Sequence, residues 1–82
     1  MQQQTLFALM ENRPGVLNRI ASLFRRRNFN IESLNVGHTD RSDISRMTIV
    51  MDGDEVDART VEANLYKLVN VIDVQDVTNQ PA

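Results

Sequence analysis

The stretch Glu11-Asn12-Arg13-Pro14-Gly15-Val16-Leu17 carries the residue types best suited to recognising a small charged molecule. An apolar run ends at Glu11, and a helical pattern begins about three residues later. A helix start presents unpaired backbone N–H groups and a positive partial charge, the combination that attracts an anion such as a carboxylate. Gly15 at the bend has no Cβ to keep a ligand off the backbone. Asn12 can donate and accept hydrogen bonds, which matches a ligand with both a carboxylate and an ammonium group. The plain alternative is a strand-to-helix turn with a routine glycine, and these residues alone do not choose between the two.

Other chemistry is harder to assemble. Ser22, Ser33, Ser42 and Ser45 have only His38 as a conventional base, and no strained nucleophile turn is evident. His38 stands beside a turn without a second ligand at metal spacing, so a solvated or hydrogen-bonded role is expected. Asp52, Asp54, Glu55 and Asp57 lack the regular alternation of a calcium loop and sit where helix-start carboxylates belong. Arg25-Arg26-Arg27 suits the last turn of a helix, with a docking contact to a partner protein as the other reading. The chain has no cysteine, which removes disulfides, thiolate metal sites and a cysteine nucleophile.

Composition narrows the classes further. With 82 residues the chain has room for one domain, of expected stability about 4–12 kcal/mol, and domains this small often gain stability by association. The net charge is −2, and the aromatic residues are three Phe, one Tyr and no Trp. The basic surface and stacking platforms of a nucleic-acid binder are therefore not expected. No apolar run nears the ~18 residues of a membrane span. Met1-Gln2-Gln3-Gln4 has neither the basic nor the apolar block of a signal peptide, so a cytoplasmic location is expected.

The elements that must position these residues follow from periodicity. Thr5–Met10 is apolar on both faces and reads as a central strand. From Pro14, suited to a first helical position, the period becomes 3.6, and Val16, Leu17, Ile20, Ala21, Leu23 and Phe24 form one stripe to about Arg27. Asn30–His38 reads as a strand with Leu34, Val36 and His38 on one face, and Ser45–Asp52 as another with Met47, Ile49 and Met51 inward. A second helix, capped by Asp54 or Asp57, carries Ala58, Val61, Leu65, Leu68 and Val69; a last strand spans Val71–Val77, and residues 79–82 are a loose tail. The order β-α-β-β-α-β predicts an α+β, ferredoxin-like layout: a four-stranded antiparallel sheet with both helices on one face. One domain should cover residues 1–82, with its core at about 5–78.

Asn12-Arg13-Pro14-Gly15-Val16-Leu17 in this element order resembles the ACT domain, an amino-acid-sensing module. The longer stretches Leu23–Val36, Ser45–Ile49 and Leu65–Val71 are similar to the regulatory small subunit of acetolactate synthase, and the likeness spans about residues 5–78. It implies a non-catalytic subunit that binds and activates a catalytic large subunit and relays feedback inhibition by a branched-chain amino acid, usually valine. Thiamine diphosphate, magnesium and FAD would belong to the partner, and this chain would carry no cofactor of its own. The family's domains pair side by side, and the resemblance places the effector between them. It would contact Asn12, Gly15, Val16 and Leu17 of one chain and Asn30 and Ile31 of its neighbour. Many members continue into a second domain beyond the region matched here.

Rival readings place the ACT module on another metabolic enzyme or a transcriptional regulator, or make the layout a small acylphosphatase. The last needs an arginine-lined phosphate loop directly after the first strand, and Arg13 is the only arginine in that loop. An RNA-binding module is disfavoured because Ser45–Asp52 has no aromatic residue. The open face of the first strand is expected to be covered by the catalytic subunit or by further copies of the domain.

Overall fold

The computed structural model describes residues 3–52 and 57–78. Six elements follow one another: β1 (Gln3–Glu11), α1 (Val16–Arg26), β2 (Ile31–His38), β3 (Ile44–Asp52), α2 (Ala58–Leu65) and β4 (Val71–Asp76). The strands form one antiparallel sheet in the order β2-β3-β1-β4, with β2 and β4 at the edges. This is the ferredoxin-like arrangement, with β1 and β3 central because each crossover helix spans one intervening strand.

Alternation along the strands decides which face is buried. Leu6, Ala8 and Met10 of β1 and Met47, Ile49 and Met51 of β3 are all 3% exposed or less. Val16, Ile20, Leu23 and Phe24 of α1 and Ala58, Val61 and Leu65 of α2 join them in one core, which puts both helices on the same face. Each of these side chains larger than alanine contributes roughly 1.5–3 kcal/mol by leaving water. On the opposite face Phe7, Leu9, Ile44 and Val50 are half-buried and Ile72 is exposed, while the Arg46 guanidinium lies 5.2 Å from the Phe7 ring centre.

Where the helices stop differs from what periodicity alone suggests. Pro14 precedes α1 rather than opening it, because Gly15 takes φ 87° and ψ −12°, a left-handed conformation that no helical residue shares. Leu17 therefore faces outward, 43% exposed, instead of joining the buried stripe. At its other end α1 closes in a Schellman turn: Phe29 N–H donates to Phe24 C=O at 3.0 Å and Asn28 N–H to Arg25 C=O at 3.2 Å. Asn28 supplies the left-handed residue at φ 58°, and the Phe24 and Phe29 rings pack at 6.1 Å, the apolar contact that accompanies this turn. Arg25, Arg26 and Arg27 are exposed at this end, as cations beside a helix C-terminus should be.

Asp57 caps α2, its Oδ1 accepting the Arg59 N–H at 3.0 Å; Asp54, the other candidate, lies outside the described residues, as does the tail at 79–82. α2 ends at Leu65, earlier than its stripe implied. Leu68 still packs on the core from the following turn, but Val69 is 88% exposed. Among the described residues no helix is long and apolar enough to cross a membrane.

Candidate functional site

The β1–α1 loop is held from both sides. Glu11 N–H donates to Asn70 C=O at 2.9 Å, on the β4 side, and Asn12 N–H to Asp43 C=O at 2.8 Å, on the β3 side. The Asn12 side chain donates from Nδ2 to Ser42 C=O at 3.1 Å, which ties the loop to the β2–β3 turn while its Oδ1 can accept a further hydrogen bond. Glu11 and Arg13 pair at 3.1 Å. Asp43 anchors the same turn: the Arg41 guanidinium beside it draws its carboxyl below the ordinary aspartate range.

Gly15 is the N-cap of α1 and accepts the first helical bond, from Arg19 N–H at 3.0 Å, but offers no side chain to cap the first turn. The space where a Cβ would sit is open, with nothing within 4 Å. Glycine is thus required here for its backbone angle, and the resulting opening lies next to the uncapped amides of the first turn. Of the residues expected to form the site, Asn12, Gly15, Val16 and Leu17 come together at this loop. Val16 is 3% exposed, its side chain spent on the core, and its backbone N–H donates to Arg13 C=O at 3.3 Å. Leu17 is open to solvent.

Asn30 and Ile31 are elsewhere. Ile31 pairs with Met51, whereas Glu11 pairs with Ile44, so the two halves of the expected site lie at opposite ends of the sheet. Seven steps of β3 separate them, roughly 24 Å at about 3.4 Å per residue. Asn30 and Ile31 instead line an open hollow of about 580 Å³ between α1 and β2, with Phe24, Arg25, Asn28 and Leu34. One chain cannot bring both halves onto one small molecule.

A buried polar link at the loop was not legible beforehand. Arg19 Nη1 donates to Asn70 Oδ1 at 2.7 Å, and Asn70 Nδ2 donates to Glu11 Oε1 at 3.3 Å. Asn70 is 8% exposed, so this amide joins the start of α1, the end of β1 and the α2–β4 junction. No local sequence signal marks a pair 51 residues apart. Among the described residues no group of three His, Cys, Asp or Glu side chains is placed to hold a metal ion. His38 is exposed at the end of β2.

The model of the AHAS small subunit-like ACT domain matches residues 6–73. The chain belongs to this family. A "Probable acetolactate synthase small subunit" of Archaeoglobus fulgidus is 54% identical over 76 residues, covering 93% of this chain and 48% of that protein. The acetolactate synthase small subunit of Mycobacterium avium is 50% identical over 76 residues, with 93% and 46% covered. The crystal structure of the Thermotoga maritima acetolactate synthase small subunit superposes with a TM-score of 0.89 at 36% identity, over 99% of this chain and 50% of that one. The ACT domain of a Chlorobium tepidum GTP pyrophosphokinase, at a TM-score of 0.73 and 18% identity, shares the fold. This ACT domain thus spans about half the length of the curated relatives it matches.

Proposed function

We propose that this ACT domain is the effector-sensing part of an acetolactate synthase regulatory subunit. It binds the catalytic subunit, raises its activity, and relays inhibition by a branched-chain amino acid, valine foremost. The chemistry, with thiamine diphosphate, magnesium and FAD, resides on the catalytic partner in the cytoplasm. The effector acts by favouring one arrangement of the complex, a coupling of typically 1–3 kcal/mol.

The observation that carries this reading is the separation of the two half-sites across the sheet, together with the open edge at β2. Two copies pairing antiparallel through β2, centred on Leu34 and Asn35, set Ile31 of the partner subunit opposite His38. His38 shares its β3 neighbour, Ser45, with Met10, so it stands at the loop end of the sheet. Each pair then holds two pockets, each made from the helix-start loop of one chain and the β2 start of the other. Val36, 44% exposed on the helix side of β2, is apolar surface that such a pairing would cover. A carboxylate meets the amides beyond Gly15, Asn12 and Asn30 take the polar groups, and Ile31 meets the branched side chain.

Mixed pairs test the shared pocket. Gly15→Asp pairs and Asn30→Ala pairs both lose valine binding, since every pocket carries one lesion. In a mixed pair both lesions fall in one pocket and the other is wild type. Calorimetry on a tag-purified mixed pair should recover about half the wild-type stoichiometry. No recovered site would refute a pocket shared between chains.

A further inference from the structure

The two edges of the sheet are not equivalent. At the β4 edge, Val77 N–H donates to Thr5 C=O at 2.9 Å, so the backbone groups of Val77, Gln75 and Asp73 turn toward β1. The alternation of an antiparallel ladder then points the N–H and C=O of Val74 and of Asp76 away from the sheet. An outward pair of this kind is what an incoming strand would grasp. At Val74, the more central of the two, it is already engaged. Tyr66, the residue after α2, brings its hydroxyl oxygen 2.8 Å from Val74 N, whose N–H it accepts. The same hydroxyl lies 3.3 Å from Val74 O and 3.1 Å from Asp73 Oδ1, so its single proton is donated to one of them. Asp73 and Asp76 add negative charge to this edge. β2 is different: from Ser33 to His38 it carries no charged side chain, and Leu34 and Val36 flank the edge with apolar surface.

We propose that Tyr66 seals the β4 edge against strand addition, so that copies of this chain add only at β2 and assembly closes at the pair. Without the seal, the β4 edge left free on each side of a β2 pair could meet the β4 edge of another pair. Repeating that contact builds an open chain of pairs rather than a closed dimer. The inference rests on the β2 pairing proposed above for the second copy, but the seal itself is read from β4 alone.

The test uses the chain with Tyr66→Phe, which keeps the ring and removes only the hydroxyl. Amide exchange at Val74 should quicken roughly tenfold, the loss of one hydrogen bond. Sedimentation velocity across micromolar to millimolar concentrations should show species beyond the pair, where the wild type stops at the pair. Adding Val36→Glu blocks β2, and the double variant should still associate through β4 while Val36→Glu alone stays monomeric. Unchanged Val74 exchange in Tyr66→Phe would overturn the seal, as would quickened exchange with the wild-type mass distribution. If Val36→Glu leaves the wild-type pair intact, the β2 reading fails instead, and new association by Tyr66→Phe still supports the seal. Should Tyr66→Phe unfold, Asp73→Asn with Asp76→Asn in the Tyr66 background provides the control: edge charge is gone, the hydroxyl remains, and no species beyond the pair should form. Growth beyond the pair in that control would assign the guard to charge and refute the role of Tyr66.

Discussion

Substitutions at Gly15 separate two roles that coincide there, backbone angle and ligand approach. With φ at 87° an L-residue is strained, by roughly 1–2 kcal/mol for alanine. No clash adds to this, since a Cβ meets nothing within 4 Å. Domains of this size lose about 4–8 °C of Tm per kcal/mol. Gly15→Ala should therefore melt about 4–16 °C below wild type, and Gly15→Asn less far below, because asparagine tolerates the left-handed region. Gly15→Asp resembles asparagine in size and backbone preference but sets a carboxylate where the proposed effector's carboxylate would sit. Two like charges at about 4 Å repel by roughly 1–4 kcal/mol between the dielectrics of water and a protein surface. Relative to Gly15→Asn, Gly15→Asp should bind valine about fivefold to several hundredfold more weakly. Thermal melts and calorimetry on the three variants measure both effects. Gly15→Ala melting with the wild type would refute the strain argument. Equal valine affinity in Gly15→Asn and Gly15→Asp would refute the carboxylate's placement at the helix start.

Asn70→Ala removes the link between Arg19 and Glu11, whose own side chains keep access to water; a loss of about 0.5–1.5 kcal/mol is expected in urea unfolding, and no loss would refute the link. Asp43 should titrate below the ordinary aspartate range by carbon-detected NMR and return toward it in Arg41→Ala. Because its folded pKa is lowered, its contribution is present above the unfolded value and disappears as pH falls through the folded one. Ile72→Glu, at an exposed position on the open sheet face, should leave the melting temperature nearly unchanged and remove activation of the catalytic subunit. Full activation by that variant would show that the open face is not the docking surface.

The element order, the central strands and the inward methionines of β3 were legible because alternation and 3.6 periodicity depend on near neighbours. Ends were less so. The stripe through Val69 continues past the end of α2, Leu17 lies within α1 but on its exposed side, and where a helix begins and stops depends on backbone conformation. Gly15 turns left-handed before α1, Asn28 does so after it, and the turn beyond Leu65 leaves Val69 outside. The helix-start loop was legible as a candidate site from Asn12 and Gly15. Val16 was legible as a member of the buried stripe, but the outward turn of Leu17 was not, since which face of the first turn meets the core depends on the entry angle. Arg19–Asn70 and Tyr66–Val74 were invisible for another reason: both are partnerships of tertiary packing, and no spacing rule announces them.

The distance between the helix-start loop and Asn30 has a consequence for dosage. A pocket whose halves come from different chains does not exist in a lone chain, so on the proposed pairing effector and partner copy should bind cooperatively. Valine should then tighten the pair by mass action, and the pair's own dissociation should enter every apparent affinity for valine. Under dilution, half-saturation should shift to higher valine as pairs come apart. On that proposal, sensitivity to the amino acid is tied to how much of the subunit is present.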